Sequence, residues 1–279
     1  MKNILITGCS SGIGLCAAKM LHQRGYNIIA TVRNPLDADP LKQLGITTAL
    51  LDLDDSNSIQ TLIAFTLKHF DDKIDVLFNN AAYGQPGAVE DLSRGVLRQQ
   101  FETNVFGTQE LTNLVITQMR KQGSGRIIYN SSVLGFISMA YRGAYNASKY
   151  ALEGLADTLR LELHDTNIYI SLIEPGPILS QFRANAFAKY QQHIDKTNSA
   201  HRDTYRAMEE RLTKQGPAAP FTLPPEAVVK KLLHAIESSK PKVRYPVTFP
   251  TYLFAILKRL LSHRSLDWVL LKVSQDENK

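Results

Sequence analysis

Six short runs, each mostly apolar and rich in β-branched residues, recur along the chain with longer helical patterns between them. They are Asn3–Thr7, Asn27–Val32, Thr47–Leu53, Asp75–Asn79, Arg126–Ser131 and Ile168–Ile173. Runs of this kind suit strands buried on both faces. The intervening patterns predict helices around Ile13–Arg24, Ser56–Phe70, Val105–Arg120 and Ala144–His164. Strand–helix–strand units cross over with one hand and lay the helix on the sheet. Repeated, they give a parallel sheet covered on both faces. The expected fold is α/β, a doubly wound parallel sheet whose ligands sit beyond the carboxyl ends of its strands.

A chain of 279 residues suits a single Rossmann-like domain over residues 1–279. Two stretches differ in kind. Residues 180–225 are polar and helix-prone, then Pro-rich at Gly216–Pro225, and read as a mobile helical substrate-loop insertion over the carboxyl edge. After one more strand near Val243–Tyr245, residues 247–273 read as a basic, amphipathic helical extension. There Leu253, Phe254, Ile256, Leu257, Leu260 and Leu261 lie beside Lys258, Arg259 and Arg264. Such a surface packs on its own protein, on a partner subunit, or peripherally on an anionic membrane. The polar end, Ser274–Lys279, is expected to fray.

The net charge of +6 is dispersed, with no basic block interleaved with aromatics, so no nucleic acid is expected and an anionic small ligand fits. Cys9 and Cys16 are too few for a disulfide framework and lack metal-ligand spacing, so no metal is expected. The start, MKNILITG, reads straight into a strand rather than into a signal peptide. No segment reaches the ~20 apolar residues that span a bilayer. The expected location is cytoplasmic. His164 falls at a helix end, where a cation meets the dipole well. His193 and His201 are expected in solvent-facing or loop positions.

Two motifs carry chemistry. Thr7-Gly8-Cys9-Ser10-Ser11-Gly12-Ile13-Gly14 links the first strand to the first helix. Its glycines permit a tight turn and close approach of a ligand, and the helix start presents N–H groups to a phosphate. Gly8-Cys9-Ser10-Ser11-Gly12 also fits a nucleophile elbow, so a serine hydrolase using Ser10 is an alternative. Against it, the match lies on the first strand, and Gly14 continues the glycine pattern into the helix. The second motif is Tyr145-Asn146-Ala147-Ser148-Lys149, with Tyr and Lys on one helical face. A phenol titrates near 10, and a neighbouring ammonium would favour the phenolate.

With Ser131-Ser132 at the end of the preceding strand, these motifs resemble the short-chain dehydrogenase/reductase family over roughly Lys2 to Ser180. Thr7–Gly14 matches the family's glycine loop. Asn79-Asn80-Ala81-Ala82 matches its NNAG segment, with Ala82 where glycine is usual. Ser132 stands thirteen residues before Tyr145, as the family's catalytic serine does. Asn104 matches its catalytic asparagine, and Pro175-Gly176-Pro177 its PG segment. The resemblance implies a catalytic set of Ser132, Tyr145, Lys149 and Asn104. Tyr145 protonates a developing alkoxide that Ser132 positions. Lys149 lowers the Tyr145 pKa and binds the nicotinamide ribose, and Asn104 holds a water linking Lys149 to solvent. A dinucleotide-binding regulatory protein without turnover is a further alternative.

The second strand ends in Arg33, where NAD sites carry an acid, so NADP(H) is expected over NAD(H). Ser10 and Ser11 could add hydroxyl contacts, and Asp52 and Leu53 resemble the pair that contacts adenine. By the same resemblance Gly8, Gly12, Ile13, Gly14, Asn80, Ala81, Pro175, Gly176, Ile178 and Ser180 complete the cofactor site. Within the family the likeness is to the branch with 17β-hydroxysteroid and retinol dehydrogenases and bacterial NADP-dependent aldehyde reductases. It implies an apolar alcohol, aldehyde or ketone as substrate and a homodimer or homotetramer, pairing through the helices around Val105 and Tyr145. Candidate pocket residues are Tyr83, Phe136, Ile137, Ile178 and Phe182.

Overall fold

The structure, a computed structural model, describes residues 1–217 and 219–277, with the side chains described as far as Gln275. Seven parallel strands form one sheet in the order β3-β2-β1-β4-β5-β6-β7. They are β1 (Asn3–Ile6), β2 (Asn27–Val32), β3 (Thr47–Leu50), β4 (Val76–Asn79), β5 (Gly125–Asn130), β6 (Ile168–Glu174) and β7 (Arg244–Pro246). The helices are α1 (Gly12–Gln23), α2 (Asp39–Lys42), α3 (Ser56–His69), α4 (Arg94–Phe101), α5 (Thr108–Gln122), α6 (Gly143–Glu162), α7 (Phe182–His193), α8 (Arg202–Thr213), α9 (Glu226–Glu237), α10 (Phe249–Leu260) and α11 (His263–Glu277).

Alternation along the strands divides the core. Ile4 and Ile6 of β1, with Ile28, Ala30 and Val32 of β2, join α1 and α9 on one face. Leu5 and Ile29 point to the other face and meet side chains of α3, α5 and α6. Leu5 pairs with Ile29 and with Leu77 across the ladder, so the in-register apolar rows leave neither central strand a wet face.

All six predicted strands are present, and the seventh, β7, joins the sheet parallel to β6. Helices α4 and α9 have no counterpart among those predicted. The helix expected from Val105 begins instead as a π-helical stretch, Glu102–Gly107, which α5 continues. Residues 180–225 are built around α7 and α8. Tyr190, Tyr205, Met208 and Leu212 from these helices share a small core with Leu92, just before α4, and Val96 on it. The Tyr205 hydroxyl accepts from the Ala88 amide at 2.9 Å and donates to Asp91. The two ends of the segment meet in a bridge between Ile178 and Leu223. The extension after Val247 is α10 and α11, and α11 runs to Glu277 where fraying was expected; residues 278 and 279 lie outside the described ones. Among the described residues no helix is long and apolar enough to cross a membrane.

Candidate active site

Strand order reverses between β1 and β4, and a cleft of about 1150 Å³ opens over their carboxyl ends. This is the place where open α/β sheets hold ligands. The cleft is lined by Gly8, Ser10, Ser11, Gly12 and Ile13 at one end, and by Ser132, Tyr145 and Lys149 farther along.

The glycine loop is fixed from the sheet side. The Thr7 hydroxyl accepts from the amides of Asn80 and Ala81, both at 2.9 Å. Asn80 Nδ2 donates back to the carbonyls of Thr7 (2.9 Å) and Gly8 (3.0 Å). A Cβ on Gly14 would lie 2.1 Å from the Gly8 carbonyl oxygen, so the turn closes only around glycine. Gly8 has φ +71°, and its Cβ would sit 2.8 Å from the Ala81 backbone. Ser11 caps α1 in extended conformation without a side-chain hydrogen bond, and the first turn carries no acid. The first N–H groups of α1 therefore keep their capacity for an anion at the cleft wall. A dinucleotide's pyrophosphate fits this cradle.

Beyond the loop, Thr31, Arg33, Asp52 and Leu53 form the outer wall. Arg33 is exposed and forms no ion pair with a described residue. Asp52 is partly committed, since its carboxylate accepts from the Asp54 amide at 3.1 Å. Pro175, Gly176, Ile178 and Ser180 close the cleft from β6.

The catalytic candidates converge at the floor. Ser132 follows β5 and caps a 3-10 turn, its Oγ accepting from the Leu134 amide at 3.1 Å. Burial pushes the Tyr145 phenol up to about 12, and a hydrogen bond from Ser132 opposes that rise. Lys149 Nζ lies 5.6 Å from the Tyr145 ring centroid and donates to the Asn130 carbonyl at 2.7 Å. Burial pushes Lys149 down to about 8, and the charge of Glu153 opposes the fall. The Lys149 hydrogen bond goes to a backbone carbonyl, while Ser132 hydrogen-bonds Tyr145 directly.

Asn104 sits in the π-helical stretch. Its Nδ2 donates to the Tyr83 carbonyl (2.9 Å) and the Ser148 hydroxyl (3.1 Å), and its Oδ1 accepts from the Tyr83 amide (3.1 Å). The side chain therefore braces the wall beside Tyr145 and does not contact Lys149. Of the pocket candidates, Tyr83, Ile137, Ile178 and Phe182 line the cleft. Phe136 does not; it packs beneath α10 and α11 with Phe254 and Leu257. Phe182 meets the Tyr145 ring edge-on at 5.3 Å.

No histidine is among the described residues lining the cleft. His201 pairs with Glu90 at 2.5 Å and His193 with Gln85 at 2.7 Å, so both tie residues 180–225 to the body rather than face solvent freely. His164 reaches Asp165 at 3.0 Å at the end of α6. Sequence reasoning gave no role to Asn130, whose carbonyl receives Lys149, or to Glu153. The second was signalled by a further equal step of four beyond Tyr145 and Lys149.

Comparisons with known proteins give the family. A short chain dehydrogenase family model matches residues 2–191. An uncharacterised oxidoreductase of Escherichia coli, YbbO, is 43% identical over 96% of this chain and 94% of its own. Human retinol dehydrogenase 8 is 33% identical over 87% of this chain and 80% of its own. A short-chain dehydrogenase structure from Streptomyces avermitilis superposes with a TM-score of 0.77 at 27% identity, covering 99% of this chain and 98% of that one. A short-chain dehydrogenase/reductase from Burkholderia phymatum in complex with NAD shares the fold at 22% identity, with a TM-score of 0.78 over 96% and 94% of the two chains. The chain belongs to the short-chain dehydrogenase family of oxidoreductases, whose structural neighbours bind nicotinamide dinucleotides.

Proposed function

We propose that the chain interconverts an apolar alcohol and its aldehyde or ketone with NADP(H), using Tyr145 as the acid/base residue. The observation that carries this reading is the convergence of Ser132, Tyr145 and Lys149 on the floor of a cleft that starts in a glycine cradle. The dinucleotide supplies the hydride. A phenol near 12 is neutral at physiological pH, so Tyr145 stands ready to give a proton to the carbonyl oxygen as it gains charge. Ser132 fixes that oxygen from the side. Lys149 would hold ribose hydroxyls and, as an ammonium, favours the phenolate that is left once the proton has gone. Any part of Asn104 in a proton relay runs through its backbone, because its side-chain amide is engaged.

Gly8, Ser10, Ser11, Gly12 and Ile13 would hold the pyrophosphate side, Asp52 and Leu53 the adenine, and Asn80, Ala81, Pro175, Gly176, Ile178 and Ser180 the inner wall. Gly14 shapes the turn. Arg33, exposed and without an ion pair among the described residues, would read the 2′-phosphate. Residues 180–225 would choose the substrate, with Phe182 against the reacting ring. An NADPH-oxidation screen over aldehydes, retinoids, steroids and quinones should yield a substrate. Tyr145→Phe should then lose on the order of a hundredfold or more in turnover. Full turnover in that variant would remove the assignment, and labelling of Ser10 by a fluorophosphonate would favour the hydrolase instead.

We also propose a cytoplasmic homodimer or homotetramer, supported by two free thiols and by exposed Phe106 near α5 and exposed Tyr150 and Leu161 on α6. The extension is proposed to touch anionic membranes peripherally. Residues 247–273 hold four Lys and Arg against one acid, and Ile256, Leu260, Trp268 and Leu271 lie exposed among them. Like charges disfavour two such faces meeting each other.

A further inference from the structure

Tyr145, Lys149 and Glu153 stand on successive turns of α6. Glu153 is buried, and its two oxygens are held from different directions. Oε1 accepts from the Ser131 hydroxyl at 2.5 Å, and Oε2 from Arg244 Nη2 at 2.9 Å. Ser131 is the chain neighbour of Ser132. Its own amide donates to Ile173 of β6 at 2.8 Å. The pair is tightly enclosed: a Cβ on Gly135, in the turn that Ser132 caps, would lie 2.7 Å from Ser131 Oγ and 3.0 Å from Glu153 Cγ. Arg244, on β7, also binds Asp157 at 2.7 Å and Glu174 at 3.0 Å. One guanidinium thus gathers three carboxylates from α6 and β6 directly behind the catalytic candidates.

A buried carboxylate without a partner takes up a proton rather than stay charged. Burial holds Glu153 above the ordinary carboxylate value, and Arg244 opposes that rise. The hydrogen bond from Ser131 adds a donor on its other oxygen. We propose that Glu153, kept ionised by Arg244, is a positioning residue: it pins the Ser131–Ser132 segment and supplies the counter-charge that keeps Lys149 an ammonium. This rests on the catalytic reading of Ser132, Tyr145 and Lys149 given above. The charged and titratable groups facing Glu153 are Lys149 and Asp157 on α6, Glu174 at the end of β6, and Arg244 on β7. Lys149 is faced by Tyr145 and Glu153 of its own helix and by the Asn130 carbonyl of β5.

The sign of the effect follows. An opposite charge favours the ammonium, so removing it lets Lys149 lose its proton at lower pH. Glu153→Gln keeps an oxygen for Ser131 and removes the charge. The alkaline limb of kcat for carbonyl reduction should move to lower pH by roughly one unit, with KM for the carbonyl nearly unchanged. Asp157→Asn also deprives Arg244 of a carboxylate, but Asp157 touches neither Ser131 nor Lys149. It should alter thermal stability and leave the pH profile in place. Ser131→Ala keeps the charge and cuts the tether; kcat should fall roughly tenfold with the alkaline limb unmoved.

If Glu153→Gln leaves both limb and kcat alone, or Asp157→Asn moves the limb equally, the proposal is overturned. Should Glu153→Gln fail to fold, Ser131→Ala decides, since undiminished kcat there overturns the tether. Tyr145→Phe, run in parallel, separates the two readings. If it retains turnover, the catalytic reading itself has failed; if it is inactive and the Glu153 and Ser131 variants are normal, only the present inference has.

Discussion

Asn130 donates from Nδ2 to Asn80 Oδ1 at 2.9 Å, and so joins the strand end that receives Lys149 to the residue that clasps the glycine loop. The two ends of the cleft are thereby one hydrogen-bonded unit across β1, β4 and β5. Asn80→Ala cuts three of its bonds at once. It should raise KM for the dinucleotide and lower kcat together, each by roughly tenfold, in steady-state assays with a carbonyl found by the screen. A change in KM alone would show that the two ends act separately.

Arg33→Asp places a carboxylate where a guanidinium without an ion pair among the described residues now stands. The expected result is a loss of about a hundredfold in kcat/KM for NADPH and little change, or a gain, for NADH. Equal losses with both would mean that Arg33 does not read the 2′-phosphate.

Gly14→Ala needs a Cβ 2.1 Å from the Gly8 carbonyl oxygen and 2.6 Å from Asn80 Nδ2. The turn must open to admit it. Dinucleotide binding by fluorescence titration should be abolished, with destabilisation of about 1–3 kcal/mol in chemical denaturation. Wild-type affinity would show that the cradle has more freedom than its contacts imply.

Glu174 is pushed up to about 7 by burial among Glu153 and Asp157, with Arg244 opposing. Between about 4.5 and 7 the folded chain keeps a proton that the unfolded chain has released. The stabilisation is therefore present at low pH and is lost as pH rises through about 7. Glu174→Gln has no such dependence. Its Tm relative to wild type should be higher at pH 8 than at pH 5, by about 2 °C or more. A difference independent of pH would place the Glu174 carboxyl at an ordinary carboxylic-acid value.

On the outer face of the extension, Leu260 is 76% exposed and Trp268 65%. Replacing both with Ser should weaken co-sedimentation with phosphatidylserine-containing vesicles several-fold while leaving NADPH oxidation intact. Equal sedimentation with neutral vesicles, or none by wild type, would discard the membrane contact and leave the face to a partner subunit, to be read by analytical ultracentrifugation.

The strands were legible because Ile4, Leu5 and Ile6 and their like are apolar on both faces, and the glycine loop because its spacing is dictated by sterics. The helix α9 was within reach of the same reading, since Val228, Val229, Leu232, Leu233 and Ile236 repeat at helical spacing. The π-helical stretch at Asn104 was not. It is a matter of one residue more per turn, which side-chain periodicity over six residues does not register. Nor was the target of Lys149, because a backbone carbonyl such as Asn130's leaves no mark in sequence. The Glu153–Arg244 contact joins residues ninety-one apart and required the sheet to be assembled first.

The bridge between Ile178 and Leu223 has a consequence for how such a chain can diversify. The backbone leaves the sheet and returns to it at one point, beside the cleft. What lies between is a cassette: helices there can be lengthened, shortened or exchanged while β6, α9 and the Ser132, Tyr145 and Lys149 side chains keep their places. On the proposed reading, substrate scope can then drift in evolution, or be regrafted in the laboratory, without the chemistry having to be reinvented.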